Sequence, residues 1–91
     1  MPDVKNPTDY QILALSCRDQ PGITAAVTGF LSRAGANIVE AKQFNDQEEG
    51  TFFMRVEFDP RDADPAQLRA DFAAVAQQFG IEWTLRAKGA K

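Results

Sequence analysis

From Thr51 onward the chain alternates with a period of two. Phe52, Met54, Val56 and Phe58 fall on one side, and Thr51, Phe53, Arg55 and Glu57 on the other. That period is the repeat of an extended strand, so Thr51–Asp59 reads as a strand with the first set facing the core. In residues 10–17, Leu13, Leu15 and Cys17 alternate with Ile12, Ala14 and Ser16. Both sets are fairly apolar, which predicts a central strand. Residues 37–45 hold Ile38, Val39, Ala41 and Phe44, interrupted by Glu40 and Lys42. This is the pattern of an edge strand or an open sheet face. The acidic segment Asp46-Gln47-Glu48-Glu49-Gly50 between two strands predicts a hairpin turn. A last strand follows from Ile81, Trp83 and Leu85 alternating with Glu82, Thr84 and Arg86.

Between these segments the period changes. Ile23, Val27, Phe30, Leu31 and Ala34 share one face of a helix over about residues 23–34, and Gly35 suits the left-handed stop after it. Leu68, Phe72, Val75 and Phe79 mark the buried stripe of a second helix. Asp64 caps its start, Pro65 opens its first turn and Gly80 ends it. The order is β-α-β-β-α-β. With right-handed crossovers it gives an α+β, ferredoxin-like sandwich: an antiparallel four-stranded sheet in spatial order 4-1-3-2, with two helices on one face. The predicted core is Phe30, Leu31, Phe52, Met54, Phe72, Val75 and Trp83, with Phe58 and Leu85 on the same sheet face. Residues 10–86 form the single domain that 91 residues allow. Residues 1–9 read as a polar, flexible leader, and residues 87–91 as a tail or the start of a linker to a further domain.

Composition narrows the chemistry. The net charge is −3, and no basic footprint points to nucleic acid or an anionic membrane surface. No apolar run approaches the roughly 20 residues of a membrane span. The chain contains no histidine, which removes Ser-His-Asp and Cys-His catalysis and any Cys/His zinc site within it. Cys17 is its single cysteine, so no internal disulfide forms. A cytoplasmic setting is expected, with no metal and no cofactor.

The most informative segment is Asp19-Gln20-Pro21-Gly22-Ile23, which sets backbone N–H groups at a helix start. Such a start suits a carboxylate ligand, and Gly22 leaves room for it, with Asp19 available to an ammonium group. The competing reading is a plain capped helix start. Asn37 is expected at the same end of the sheet, where it would hydrogen-bond a small polar ligand or only its own backbone. Phe53, on the face away from the helices, marks either a contact with another chain or a partly covered surface aromatic. Cys17 reads as a buried, inert thiol. The acidic turn lacks the ligand spacing of a calcium loop.

Two strings then carry a resemblance. Cys17-Arg18-Asp19-Gln20-Pro21-Gly22-Ile23, followed by Gly35-Ala36-Asn37-Ile38, resembles the D-x-P-G turn and G-x-N-I lead-in of ACT domains. Gly50-Thr51-Phe52-Phe53-Met54-Arg55-Val56-Glu57-Phe58 is similar to the N-terminal ACT domain of the formyltetrahydrofolate deformylase family. The resemblance implies a regulatory, oligomerising module that does no chemistry itself. It also implies an amino-acid site at Cys17, Asp19, Gln20, Pro21, Gly22, Ile23, Asn37 and Ile38, with glycine or methionine as effector. A partner copy and a downstream catalytic domain hydrolysing 10-formyltetrahydrofolate complete the implied setting. No catalytic residue of that domain carries over to this chain. Two other classes share the element order. An acylphosphatase-like enzyme would use Arg18, but its glycine-rich loop is missing. An RNA-recognition fold would stack bases on Phe53 and Tyr10, against the acidic charge.

Overall fold

The structure, a computed structural model, describes residues 10–89. The expected leader, residues 1–9, and the last two residues lie outside that range. The elements are β1 (Gln11–Arg18), α1 (Ile23–Arg33), β2 (Asn37–Asp46), β3 (Thr51–Asp59), α2 (Pro65–Phe79) and β4 (Glu82–Ala87). The antiparallel sheet runs β2-β3-β1-β4, the predicted order. The strand expected over residues 10–17 spans Gln11–Arg18, β2 runs one residue further than its pattern suggested, to Asp46, and the last strand, expected over residues 81–86, spans Glu82–Ala87. Residues 87 and 88, read from sequence as tail, belong to the domain. Ala87 closes the ladder opposite Gln11, and the Lys88 N–H donates to the Tyr10 carbonyl at 2.8 Å.

The register sets the two faces. Leu13 lies opposite Val56 and Leu85, Leu15 opposite Met54 and Trp83, and Cys17 opposite Phe52. These residues meet Ile23, Val27 and Leu31 of α1 and Leu68, Phe72 and Ala76 of α2 in one core. Leu31, Phe52, Met54 and Phe72 are buried as expected. Phe30, Val75 and Trp83 are half-buried at its margin. The cause is packing order: Phe72 fills the centre, and the rings of Phe30 and Trp83 close over it edge-on at centroid distances of 5.3 and 5.0 Å.

The two helix starts differ in a way that bears on function. At α2, Asp64 accepts a hydrogen bond from the Ala66 N–H at 3.1 Å, a cap worth about 1 kcal/mol. At α1 the capping position is Gly22, with φ +86° and no side-chain cap. The first N–H groups of α1 therefore lack the side-chain partner that those of α2 have.

The face without helices is only partly open. Lys88 reaches over β1 to β3, where its Nζ sits 2.8 Å from the Glu57 carboxylate. Ile12, opposite Glu57 in the register, is 2% exposed. Beyond this covered end, Phe53 and Phe44 stand 43% and 64% exposed.

Candidate functional site

The β1–α1 turn folds as its sequence requires. Pro21 and Gly22 end the extended run, and the positive φ at Gly22 turns the chain into α1. The Asp19 N–H donates to the Gly50 carbonyl at 2.9 Å, tying the turn to the β2–β3 hairpin. The Gln20 side-chain amide donates to the carbonyls of Phe79 at 3.0 Å and Arg18 at 3.1 Å, tying the same turn to the end of α2. Gln20 thus holds the turn in place, with its amide N–H groups turned to backbone. Asp19 is exposed and does not cap α1.

These ties leave a cleft of about 340 Å³ between the start of α1 and the end of β2. Asp19, Gln20, Gly22 and Ile23 line it, as the sequence proposed, and so do Thr24, Gln43 and Asn45, which sequence reasoning missed. Thr24 Oγ1 donates to Gln43 Oε1 at 3.1 Å and joins the two walls. The missed signal lay in the alternation of β2. Once Ala41 is assigned to the helix side, Gln43 and Asn45 follow, and they run toward the hairpin beside the turn.

The remaining proposed residues lie elsewhere. Cys17 is in the core, 7% exposed. Burial pushes its thiol up; a hydrogen bond with Gln20 opposes this and the Asp19 charge adds to it, so the thiol is protonated at neutral pH. Pro21 is exposed outside the cleft lining. Asn37, expected at the same end of the sheet as the turn, lies at the other end, with Ile38 beside it. Asn37 pairs with Asp59 and Ile38 with Phe58, whereas Arg18 and Asp46 both pair with Thr51. Strands β1 and β2 are therefore parallel, and α1 carries the chain back down the sheet before β2 begins. Asn37 stands at the opposite end from Asp19, roughly 25 Å away at about 3.3 Å per residue.

The geometry is that of a small sheet-and-helix module with a polar cleft at a helix start. The ACT domain family profile matches residues 11–75, and the chain belongs to the ACT domain family. It is similar to formyltetrahydrofolate deformylase of Bacillus subtilis, 47% identical over 76 residues, and of Corynebacterium sp., 43% identical over 82 residues. These matches take in 80% and 88% of this chain but 25% and 29% of those proteins. Among solved structures, formyltetrahydrofolate deformylase from Pseudomonas putida superposes with a TM-score of 0.84 at 34% identity, over 91% of this chain and 30% of that one. An ACT domain protein from Streptococcus pneumoniae shares the fold, with a TM-score of 0.75 at 24% identity over 86% of this chain and 88% of that one. The chain thus spans between a quarter and a third of the length of the deformylases it matches. Among the described residues, no helix is long and apolar enough to cross a membrane, and no group of three or more acidic, cysteine or histidine side chains is placed to hold a metal ion.

Proposed function

We propose that this chain is an amino-acid-sensing regulatory module that works as a pair of copies, in the cytoplasm, and that its setting is a formyltetrahydrofolate deformylase whose catalytic machinery lies on other residues. The observation carrying this reading is the division of the candidate site between the two ends of one sheet. The cleft at Asp19 and Gly22 offers uncapped N–H groups of α1 to a ligand carboxylate, favoured by the helix dipole. Asp19 beside it suits the ammonium group. Asn37, the remaining polar partner, is out of reach within one copy. β2 is an edge strand, almost wholly exposed, with its outer backbone groups free to pair. Antiparallel pairing of β2 with β2 of a second copy lays the start of one strand beside the end of the other. That arrangement brings Asn37 of the second copy to the cleft of the first, and the reverse. A ligand held between copies favours the paired state through its differential affinity, which is how it would act on an attached domain. Glycine and methionine, small zwitterions, are the proposed effectors.

Mixing two variants tests the shared site. Asp19→Ala and Asn37→Ala are each expected to lose saturable glycine or methionine binding. Mixed and allowed to exchange, they re-form one intact site in every mixed pair, or roughly a quarter of the wild-type capacity at random assortment. A mixture as inactive as its parents, or an Asn37→Ala chain that binds like wild type, contradicts the proposal.

A further inference from the structure

We infer that the outer edge of β4 is a strand-pairing surface held closed by Arg69, which bars a second copy of β4 from adding to the sheet there. The inference depends neither on amino-acid binding nor on pairing at β2; it starts from the phase of the β4 ladder. The Lys88 N–H donates to the Tyr10 carbonyl, which continues the register that sets Gln11 opposite Ala87. Main-chain groups of an antiparallel strand point by turns to one side and the other. Those of Glu82, Thr84, Arg86 and Lys88 therefore point to β1. Those of Trp83, Leu85 and Ala87 point out of the sheet, since β4 ends the order β2-β3-β1-β4. Leu85 is the middle one of the three, and its carbonyl accepts a hydrogen bond from Arg69 Nη2 of α2.

That contact sits where self-pairing would begin. Antiparallel pairing of β4 with β4 of a second copy, about a two-fold axis at Leu85, exchanges main-chain bonds between the two Leu85 residues and between Trp83 and Ala87. The side chains do not oppose it. The same register sets Glu82 opposite Lys88 and Thr84 opposite Arg86, so no like charges face each other. Lys88 is already held by Glu57 and adds nothing to the pairing. The obstacle is the guanidinium. Arg69 is exposed, and one of its five donors is spent on Leu85. An incoming strand must break that bond and strip water from the charge, and charged groups at a sheet edge block pairing in this way. β2 differs. By the same alternation Ala41, Gln43 and Asn45 point their main-chain groups outward, and among the described residues no side chain hydrogen-bonds to them. A chain that self-paired at both edges would carry two different two-fold axes, and alternating them builds an open-ended sheet. With β4 closed, growth at the β2 edge ends at a pair.

Sedimentation of the 91-residue chain from low to high micromolar concentration tests this. Arg69→Ala, and Arg69→Met with its longer stem, are expected to assemble past the largest wild-type species, at concentrations at least about tenfold lower than the wild type needs. Ala41→Pro removes a donor from the outer edge of β2 and leaves the ladder bonds to β3 in place. Alone it is expected to stay monomeric; combined with Arg69→Ala it should stop at a pair. In that pair the Leu85 amide N–H should exchange at least about tenfold more slowly than in the wild type, which loss of a surface charge alone does not produce. All variants should keep the wild-type circular dichroism, because Arg69 and Ala41 are exposed. Assembly of both Arg69 variants equal to the wild type overturns the inference, as do larger species without slowed exchange at Leu85. A monomeric wild type beside a pairing Arg69→Ala counts against pairing at β2 and leaves this inference standing.

Discussion

Truncating Phe72 to alanine is expected to remove about 3–5 kcal/mol of folding stability. Phe72 is 1% exposed and receives the edges of Phe30 and Trp83, so a single ring joins α1, α2 and β4. Only a few residues couple the helices to each other and to β4, and the space left by Phe72 cannot close without moving a whole helix. A domain of this size has roughly 5–15 kcal/mol in total, so the loss takes a large share of it. With a slope of about 1–2 kcal/mol per molar urea, the midpoint should fall by at least ~1.5 M. Phe53→Ser, the same ring type on the exposed face, should change stability by no more than about 0.5 kcal/mol. Similar midpoints for the two variants would show that the faces of the sheet have been assigned wrongly.

Replacing Gly22 by valine should abolish amino-acid binding while the domain stays folded. The space beside Gly22 is open: a Cβ there meets no atom within 4 Å. The constraint is the backbone, since φ is +86° and valine, branched at Cβ, resists that region. The strain is of order 1–3 kcal/mol. Relief of that strain is expected to turn the peptide out of position, and with it the first N–H groups of α1, whose residues line the cleft. Binding is expected to weaken at least about thirtyfold, equivalent to ~2 kcal/mol, with a modest fall in thermal midpoint. Gly22→Asn is the control, because asparagine tolerates a left-handed backbone, and it should keep most of the stability. Unchanged affinity in Gly22→Val would remove the turn from the site.

Most of the fold was legible because period and punctuation agreed. The period-two run in Thr51–Asp59 and the glycines after each helix located the elements. The predicted strand order then followed from right-handed crossovers. Burial depth was less legible. Phe30 and Trp83 carry the same apolar pattern as Phe72, and only their places around its ring decide that they sit at the margin. In the site, the turn residues Asp19, Gln20, Gly22 and Ile23 were readable from local chemistry. The error over Asn37 was topological. A strand, a returning helix and a parallel strand put the two strand starts at the same end, which is the end opposite the turn. The motif joins residues at opposite ends of one sheet, which the proposed pairing of two copies would bring together. Thr24, Gln43 and Asn45 were missed for the complementary reason, because β2 ends where β1 ends.

Calorimetric titration of the wild-type chain with glycine and with methionine tests the central claim most directly. Saturable binding of at least one of them is expected at millimolar concentration or below, at one site per copy, with the paired state strengthened by the ligand. No saturable heat from either amino acid, in a chain shown to be folded and paired, would contradict it and leave the module with association as its whole role.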